Sequence, residues 1–236
     1  MFSHTAHWYD ALYSFKDYRK EAGAIADLIR EHHARARTVL DVACGTAEHD
    51  RYLSAAFQVD GLDLQPEFVR IAAEKNPTGH WQVADMTDFH LARRYDVVMC
   101  LFSSIGYVRT LDNVVSALSC FREHLAPGGI ILVEPWFTPA QWRPGPNIYL
   151  LTGETAEGKI CRMNISAREG NLSVLDFHYL IGTSEGVRHV TERHELGLFT
   201  REDMQQCFEN ARLVVSYQEP GIGGRGLYIA RQEQGM

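Results

Sequence analysis

VLDVACGTAEHD, at residues 39–50, decides the fold. Together with Thr38, its first residues make the short apolar run of a buried strand, and the small residues that follow predict a tight turn. Gly45 lets a ligand approach the backbone closely, and the helix after the turn offers free N–H groups to a carboxylate. The sequence therefore predicts a strand from Thr38 to Val42 with a ligand site at its end.

Strands and helices alternate along the chain as far as residue 134. The predicted helices are residues 19–33, 48–56, 66–75 and 111–125, and the predicted strands are residues 38–42, 59–64, 81–84, 95–101 and 130–134. Alternation at this spacing requires right-handed crossovers. We therefore expect an α/β fold with a doubly wound, Rossmann-like and mostly parallel sheet.

Beyond Pro135 the pattern changes to that of antiparallel strands separated by Gly-containing turns, in the runs 159–167, 172–181 and 187–199. Thr200 then predicts the N-cap of a helix that reaches Ala211, and strands at 213–218 and 226–230 predict a closing hairpin. The sequence thus predicts three parts. They are a core with an N-terminal lid at 1–135, an antiparallel β insertion at 136–199, and a C-terminal helix and hairpin at 200–236.

Composition restricts the partners of the protein. The chain has 236 residues, of which 45% are hydrophobic and 22% charged, with a net charge of -7. This charge disfavours binding to a nucleic-acid backbone, and neither a signal peptide nor a membrane-spanning apolar run is evident. The five cysteines are scattered without CxxC spacing, so no metal site is expected. We expect a cytoplasmic protein without a nucleic-acid or membrane partner.

Acids follow successive predicted strands, and the carboxyl ends of such strands meet at one edge of the sheet. Asp63 ends the second strand, where a carboxylate can accept both hydroxyls of a ribose. Asp85, after the third strand, can accept from an adenine amino group, with Met86 against the ring. Each has a plainer explanation, a helix cap for Asp63 and a surface turn for Asp85. Together, however, they match one adenosyl ligand better than unrelated caps.

A dinucleotide-dependent dehydrogenase is the nearest alternative because it shares the fold and the ribose-binding acid. Such an enzyme would carry G-x-G-x-x-G, whereas Gly45 is followed by Ala47 and Asp50. Glu48 and Asp50 would repel a diphosphate. A cationic sulfonium without phosphate tolerates an acidic loop, which favours S-adenosylmethionine.

Residues 38–134 resemble the class I S-adenosylmethionine-dependent methyltransferases. The chain departs from that family at Ala47, where the last glycine of the G-x-G loop is usual. The resemblance implies S-adenosylmethionine as cofactor, with the first loop at its methionine end, the second-strand acid on the ribose and the third-strand Asp on adenine. The cofactor-binding residues that we predict on this basis are Tyr18, Ala43, Gly45, Asp63, Leu64, Asp85, Met86 and Leu101.

A narrower resemblance covers nearly the whole chain. It rests on motifs in the same order, namely YDALY (9–13), KDY (16–18), FSSIGY (102–107), EPWF (134–137), SAREGN (166–171), LFTRE (198–202) and GGRGLY (223–228). They resemble the dTDP-amino-sugar N,N-dimethyltransferases that make desosamine- and mycaminose-type antibiotic sugars. The resemblance implies a dTDP-linked deoxy-amino sugar as the methyl acceptor.

Such an acceptor carries a diphosphate, so its site needs cations in spite of the acidic chain. Arg225, flanked by glycines, suits bidentate contact with that diphosphate. The insertion offers further cations in Arg143, Arg168, Arg188 and Arg193, of which Arg168 is our candidate. Trp136 and Phe137 are candidates for stacking on the thymine or the sugar. One of the insertion-strand histidines His178, His189 and His194 is expected to face the sugar, and the sequence does not say which; His194 is our candidate.

Two tyrosines are the predicted catalytic residues. Tyr107 follows the fourth strand, where methyl donor and acceptor must meet, and we expect its hydroxyl to orient the neutral amine. Tyr13 belongs to an N-terminal segment that can fold over the cofactor as a lid. A sugar ammonium with a pKa of roughly 8 to 9 is partly deprotonated in solution, so no strong base is obligatory.

Other functions stay open at this point. The acceptor is another small amine or a hydroxyl in one alternative, and the chain is a non-catalytic cofactor-binding module in another. A nucleotide-sugar acceptor predicts protection by dTDP, whereas the other acceptors do not. The sequence leaves the position of the amino group, the number of methyl groups and the formation of a homodimer undecided.

Overall fold

The computed structural model describes residues 5–233, without the side chains of residues 146–149. The helices are α1 Tyr9–Leu12, α2 Tyr18–His32, α3 Asp50–Leu53, α4 Pro66–Lys75, α5 Leu111–Glu123 and α6 Arg201–Asn210. The strands are β1 Thr38–Val42, β2 Gln58–Asp63, β3 Trp81–Val83, β4 Tyr95–Cys100, β5 Leu125–Val133, β6 Gly145–Thr155, β7 Gly158–Glu169, β8 Leu172–Thr183, β9 Gly186–Gly197, β10 Leu213–Gln218 and β11 Leu227–Gln232. Short 3-10 turns lie at Ala6–Trp8 and Ser104–Val108.

The main sheet has seven strands in the order β10-β11-β5-β4-β1-β2-β3. Strands β1 to β5 run parallel, and the hairpin of β10 and β11 joins β5 in antiparallel fashion. The order reverses between β1 and β4, which is where doubly wound sheets bind their ligands. The predicted fold class, including the antiparallel insertion, is confirmed.

Buried apolar side chains cover both faces of this sheet. One face packs against α5 and α6 through Val98, Phe121 and Phe208, and the other packs against α2 through Ile25 and Val97. The predicted cap of α6 is confirmed, because Thr200 Oγ1 accepts from Asp203 N and the Asp203 carboxylate accepts from Thr200 N. This capping box fixes where the chain re-enters the core.

The second sheet consists of the four antiparallel strands β6-β7-β8-β9. The N-terminal segment packs beneath it, with Trp8 and Leu12 buried against Ile160 and Tyr179. None of the helices in residues 5–233 is long and apolar enough to cross a membrane.

Several elements differ from the prediction. Strand β5 begins at Leu125 instead of residue 130, and α1 was not predicted. The helix expected at 48–56 is shortened to α3, because Ala47 has a left-handed φ of 56° and Ser54 Oγ donates to Asp50 O at 2.7 Å. Strand β6 was not predicted, since its Gly and Pro residues are poor strand formers. It forms through pairing with β7, with a bulge between Asn147 and Leu151.

Candidate active site

A cavity of about 590 Å³ lies at the carboxyl ends of the parallel strands, under the four-stranded sheet. The loops after β1, β2 and β3 line one end of it. The 3-10 turn after β4, the insertion strands and the loop before β11 line the other. One continuous space therefore joins the predicted cofactor and acceptor sites.

The loop after β1 owes its shape to left-handed residues. Ala43, Gly45 and Ala47 have φ values of 61°, 57° and 56°. Ala47 thus adopts the conformation that glycine would take, so the departure from G-x-G keeps a glycine-like turn. A Cβ placed on Gly45 would meet nothing within 4 Å. The loop leaves open space in front of its backbone for a ligand.

The Asp63 carboxylate faces this space from the end of β2. It is 8% exposed and accepts hydrogen bonds from Gly45 N at 2.9 Å and Gln65 N at 2.8 Å. Burial raises the pKa of Asp63, and these backbone bonds act in the opposite direction. Since an ionised carboxylate has about four acceptor positions, room remains for hydroxyl donors. The residues therefore fit the ribose of S-adenosylmethionine.

Asp85 and Met86 line the same end of the cavity. The Asp85 carboxylate accepts from the amide and the hydroxyl of Thr87, at 2.8 and 2.7 Å, which orients it at the end of β3. Leu64 is half exposed beside them. An acid with flanking apolar side chains suits an adenine ring and its amino group.

The loop after β4 is tied to the end of β5. Phe102 and Ser103 have left-handed φ values of 52° and 63°. Phe102 N donates to Glu134 at 2.7 Å, and Ser103 Oγ donates to Pro135 O at 2.6 Å. The motifs FSSIGY and EPWF thus form one structural unit that sets the position of Tyr107.

Tyr107 contacts the insertion from below. Its hydroxyl lies 2.9 Å from His194 Nδ1, and His194 Nε2 lies 3.6 Å from a Glu192 carboxylate oxygen. Burial raises the pKa of Tyr107, so its hydroxyl is protonated at neutral pH. A tyrosine hydroxyl, an imidazole and a carboxylate thus lie in a row at the acceptor end.

Arg225 enters the cavity from a glycine turn. Gly224 and Gly226 have φ values of 80° and 87°, and a Cβ on Gly223 would lie 2.1 Å from Glu134 Oε1. The guanidinium lies 3.7 Å from the Glu134 carboxylate and 5.6 Å from the centre of the Trp136 ring. The GGRG sequence is therefore needed both for the turn and for its close approach to Glu134.

Arg162 is a cavity residue that sequence reasoning missed. It is 9% exposed, donates to the Tyr13 hydroxyl at 3.0 Å and lies 4.3 Å from the centre of the Phe177 ring. The sequence did contain a signal for Arg162. Ile160, Arg162 and Asn164 are every second residue of β7, so their side chains lie on the same inward face. A charged residue on the apolar face of a strand indicates a polar cavity.

The cavity brings together most of the predicted residues, namely Tyr13, Ala43, Gly45, Asp63, Leu64, Asp85, Met86, Tyr107, Trp136, His194 and Arg225. Four others lie outside its lining. Leu101 is buried in the core and Phe137 packs against Trp142. Tyr18 packs edge-on against His49, and the exposed Arg168 donates to the carbonyls of Gly170 and Pro139. Roles in ligand binding stay predictions for the residues inside the lining and for these four alike.

Comparison with known proteins agrees with this geometry. A methyltransferase domain model matches residues 39–129. The structure of CalS10 with S-adenosylmethionine bound, an amino pentose methyltransferase of Micromonospora echinaspora, superposes with a TM-score of 0.84. It is 31% identical and covers 95% of this chain and 96% of its own. The fold is that of a class I methyltransferase, and the cofactor of this enzyme is S-adenosylmethionine.

Two curated relatives narrow the class. The dTDP-3-amino-3,6-dideoxy-alpha-D-glucopyranose N,N-dimethyltransferase of Streptomyces fradiae is 40% identical over 90% of this chain and 84% of its own. The dTDP-3-amino-3,4,6-trideoxy-alpha-D-glucopyranose N,N-dimethyltransferase of Streptomyces venezuelae is 36% identical over 91% of each chain. The chain belongs to the dTDP-amino-sugar N,N-dimethyltransferase family, which confirms the resemblance seen in the sequence.

Proposed function

We propose that this enzyme transfers two methyl groups to the 3-amino group of a dTDP-linked deoxy sugar in antibiotic sugar biosynthesis. The observation that carries the proposal is the continuous cavity, which has Asp63 at its cofactor end and Tyr107 and Arg225 at its acceptor end. The 3-amino position is supported by the names of the two relatives.

The cofactor end is suited to hold an adenosyl group in one orientation. Asp63 would accept the ribose hydroxyls and Asp85 the adenine amino group, while Gly45 lets the methionine part approach the backbone. S-adenosylmethionine, when bound, supplies an electrophilic methyl group on sulfur. The protein then has to hold the amine in line with that methyl group.

The acceptor end supplies the charge and the apolar surface that a sugar nucleotide needs. Arg225 is a guanidinium already oriented by Glu134 and suited to the diphosphate. The Trp136 indole is fixed by its hydrogen bond to Ser173 Oγ at 2.8 Å and offers a ring face for stacking. Tyr107 would then receive the amino group between these contacts and the cofactor.

The N-terminal segment and the insertion would close the cavity from above. Tyr13 lies at the centre of this cover. Its ring centre is 5.6 Å from that of Phe102, and its hydroxyl accepts a hydrogen bond from Arg162. Exclusion of water protects the reacting amine and strengthens electrostatic contacts. Three predictions from the sequence stay part of this proposal: the division of the chain into three parts, a cytoplasmic location and a homodimer.

The test is an assay with dTDP-3-amino-3,6-dideoxyglucose and S-adenosylmethionine. We expect mass spectrometry to show a product in which two methyl groups replace two hydrogens, a gain of two CH2 units. We also expect dTDP to protect the enzyme against thermal unfolding. Absence of methylation with this sugar, together with methylation of a phenol or of a simple amine, would contradict the proposal.

The role of Arg225 is tested in the same assay. Arg225→Ala should raise the KM for the sugar nucleotide by about tenfold to a hundredfold, because a charge-assisted contact is lost. The affinity for the cofactor should stay unchanged. Arg188→Ala, on the exposed part of β9, removes the same charge and should change neither. An equal loss of both affinities in Arg225→Ala would indicate a structural role instead.

A further inference from the structure

A buried polar row begins at Tyr107 and leads away from the cavity. His194 is 1% exposed and accepts or donates at Nδ1 toward the Tyr107 hydroxyl, 2.9 Å away. Glu192, 7% exposed, lies 3.6 Å from His194 Nε2 and accepts from Thr5 Oγ1 at 2.9 Å. Both residues point inward because alternate residues of β9 share one face.

We infer that Tyr107, His194 and Glu192 form the path by which the acceptor amine loses a proton at each methyl transfer. The inference rests on the proposed function, and it departs from the purely orienting role that the sequence predicts for Tyr107. His194 acts through Tyr107 and does not need to touch the sugar.

The neighbouring carboxylate favours one tautomer of His194. Glu192 lies 3.6 Å from Nε2, too far for a hydrogen bond, but a carboxylate at this position favours a hydrogen on Nε2 over a lone pair. Nδ1 is then an acceptor for the Tyr107 hydroxyl, which leaves the phenol oxygen able to take a proton from the amine. The second partner of an imidazole sets its tautomer in this way in hydroxyl–imidazole–carboxylate arrangements.

The charges around the row favour departure of the proton from the amine. Besides His194, the titratable groups that act electrostatically on Tyr107 include Tyr9, Tyr13, Tyr179, Arg162 and Glu192. Arg162 is buried beside Tyr13, and a guanidinium at this end of the cavity disfavours an ammonium ion there. The Glu192 carboxylate lies at the opposite end of the row, 3.6 Å from His194 Nε2. The electrostatic field along the row therefore favours movement of a proton from the amine toward the imidazole.

The proton balance of dimethylation explains why such a path is useful. Near neutral pH the sugar amine is an ammonium, so it must lose a proton to Tyr107 before it can react. The freed nitrogen lone pair then forms the new N–C bond, the carbon–sulfur electron pair stays on sulfur, and the nitrogen becomes an ammonium again. One N–H bond then breaks with its electrons kept by nitrogen. Tyr107 Oη accepts that proton as its own passes to His194 Nδ1, and the imidazolium releases it to water when product leaves. Without this step nitrogen has no lone pair for the second transfer.

The first test measures the tautomer of His194 and needs no acceptor. In the enzyme with 15N-labelled histidine, long-range 1H–15N spectra should assign the hydrogen of His194 to Nε2, and Glu192→Gln should weaken that preference. A hydrogen on Nδ1, donated to the Tyr107 oxygen, would overturn the inference.

The second test measures the pH dependence of turnover. His194→Gln should lower kcat by about a hundredfold near pH 6.5 and recover toward the wild-type rate near pH 9.5, where the amine is neutral in solution. His178→Gln, on the exposed face of the same sheet, is the matched control and should follow the wild-type profile. A loss in His194→Gln that is equal at every pH would indicate support of the fold alone and overturn the inference.

A double variant separates the path from independent contacts. Tyr107→Phe with His194→Gln should be no slower than Tyr107→Phe alone, because either change interrupts the same path. Additive losses would contradict the inference. An inert wild-type enzyme would contradict the proposed function instead, and the His194 tautomer would still decide the direction of the hydrogen bond to Tyr107.

Discussion

At the scale of the residue, the Asp63 carboxylate has two tasks. It accepts backbone hydrogen bonds from Gly45 and Gln65, so it holds the loop after β1 against the end of β2. It also faces the cavity, where its remaining acceptor positions meet the ligand. The same side chain thus shapes the site and is available for binding, which makes its removal informative.

Asp63→Ala should weaken binding of S-adenosylmethionine by roughly 1.5 to 3 kcal/mol, the value of hydrogen bonds to a charged group. Isothermal calorimetry measures this directly. Asp27→Ala, an exposed carboxylate on α2 that pairs with Arg30, removes the same charge and should bind the cofactor as the wild type does. Unchanged affinity in Asp63→Ala would mean that the ribose lies elsewhere.

At the scale of the element, the loop between β1 and α3 is built over two buried acids. Asp41 is 5% exposed and Asp50 is fully buried. Burial raises the pKa of Asp50 to about 6, and burial together with the neighbouring Asp50 carboxyl raises the pKa of Asp41. A shared proton lowers the cost of two carboxyls in one place. Helix α3 begins at Asp50, so both this helix and the loop before it depend on the pair of acids Asp41 and Asp50.

This pair predicts a pH dependence of stability. A carboxyl with a raised pKa in the folded chain stabilises it below about pH 4, and this contribution is lost as the pH rises through about 6. Relative to Asp50→Asn, the wild type should therefore lose about 2 kcal/mol of unfolding free energy between about pH 4 and pH 7. Urea unfolding at both pH values measures the difference.

The exposed Asp112 on α5 provides the control for this comparison. Asp112→Asn should leave the pH dependence as it is in the wild type. If Asp50→Asn and the wild type showed parallel curves from about pH 4 to pH 7, the Asp50 carboxyl would have no raised pKa.

At the scale of the whole molecule, the two sheets meet through the N-terminal segment. Trp8 and Leu12 pack beneath the four-stranded sheet, while Tyr9 packs on Phe68 of α4 in the core, with ring centres 5.2 Å apart. The N-terminal segment and the four-stranded sheet approach closely at Gly153 of β6, where a Cβ would lie 2.6 Å from the Ala11 carbonyl carbon. This contact limits how near α1 can lie to β6.

Gly153→Ala should therefore move α1 away from β6 and displace Tyr13 from the cavity. We expect a loss of about 1 to 3 kcal/mol in unfolding free energy, as for other overpacked sites, and a higher KM for the acceptor. Gly182→Ala is the matched control in the same sheet, because its Cβ would meet nothing closer than 3.9 Å. Equal stability and KM in the two variants would contradict the close approach.

Local patterns in the sequence determined much of this protein. The bounds of β1 and α4, the cap of α6 and the acids at the ends of β2 and β3 were predictable. Each depends on neighbours within a few residues. The common edge of these strands follows from the crossover rule alone, so the cofactor end of the cavity was predictable as well. The family motifs then indicated the acceptor.

Only the tertiary structure decided which side chains meet at the acceptor end. Tyr107 and His194 are 87 residues apart, and Tyr13 and Arg162 are 149 apart. Strand β6 exists because β7 pairs with it. Such contacts depend on sheet register and on the packing of the N-terminal segment beneath the insertion. A shift of one residue in register turns a side chain to the opposite face, and no pattern local to one strand specifies its partner.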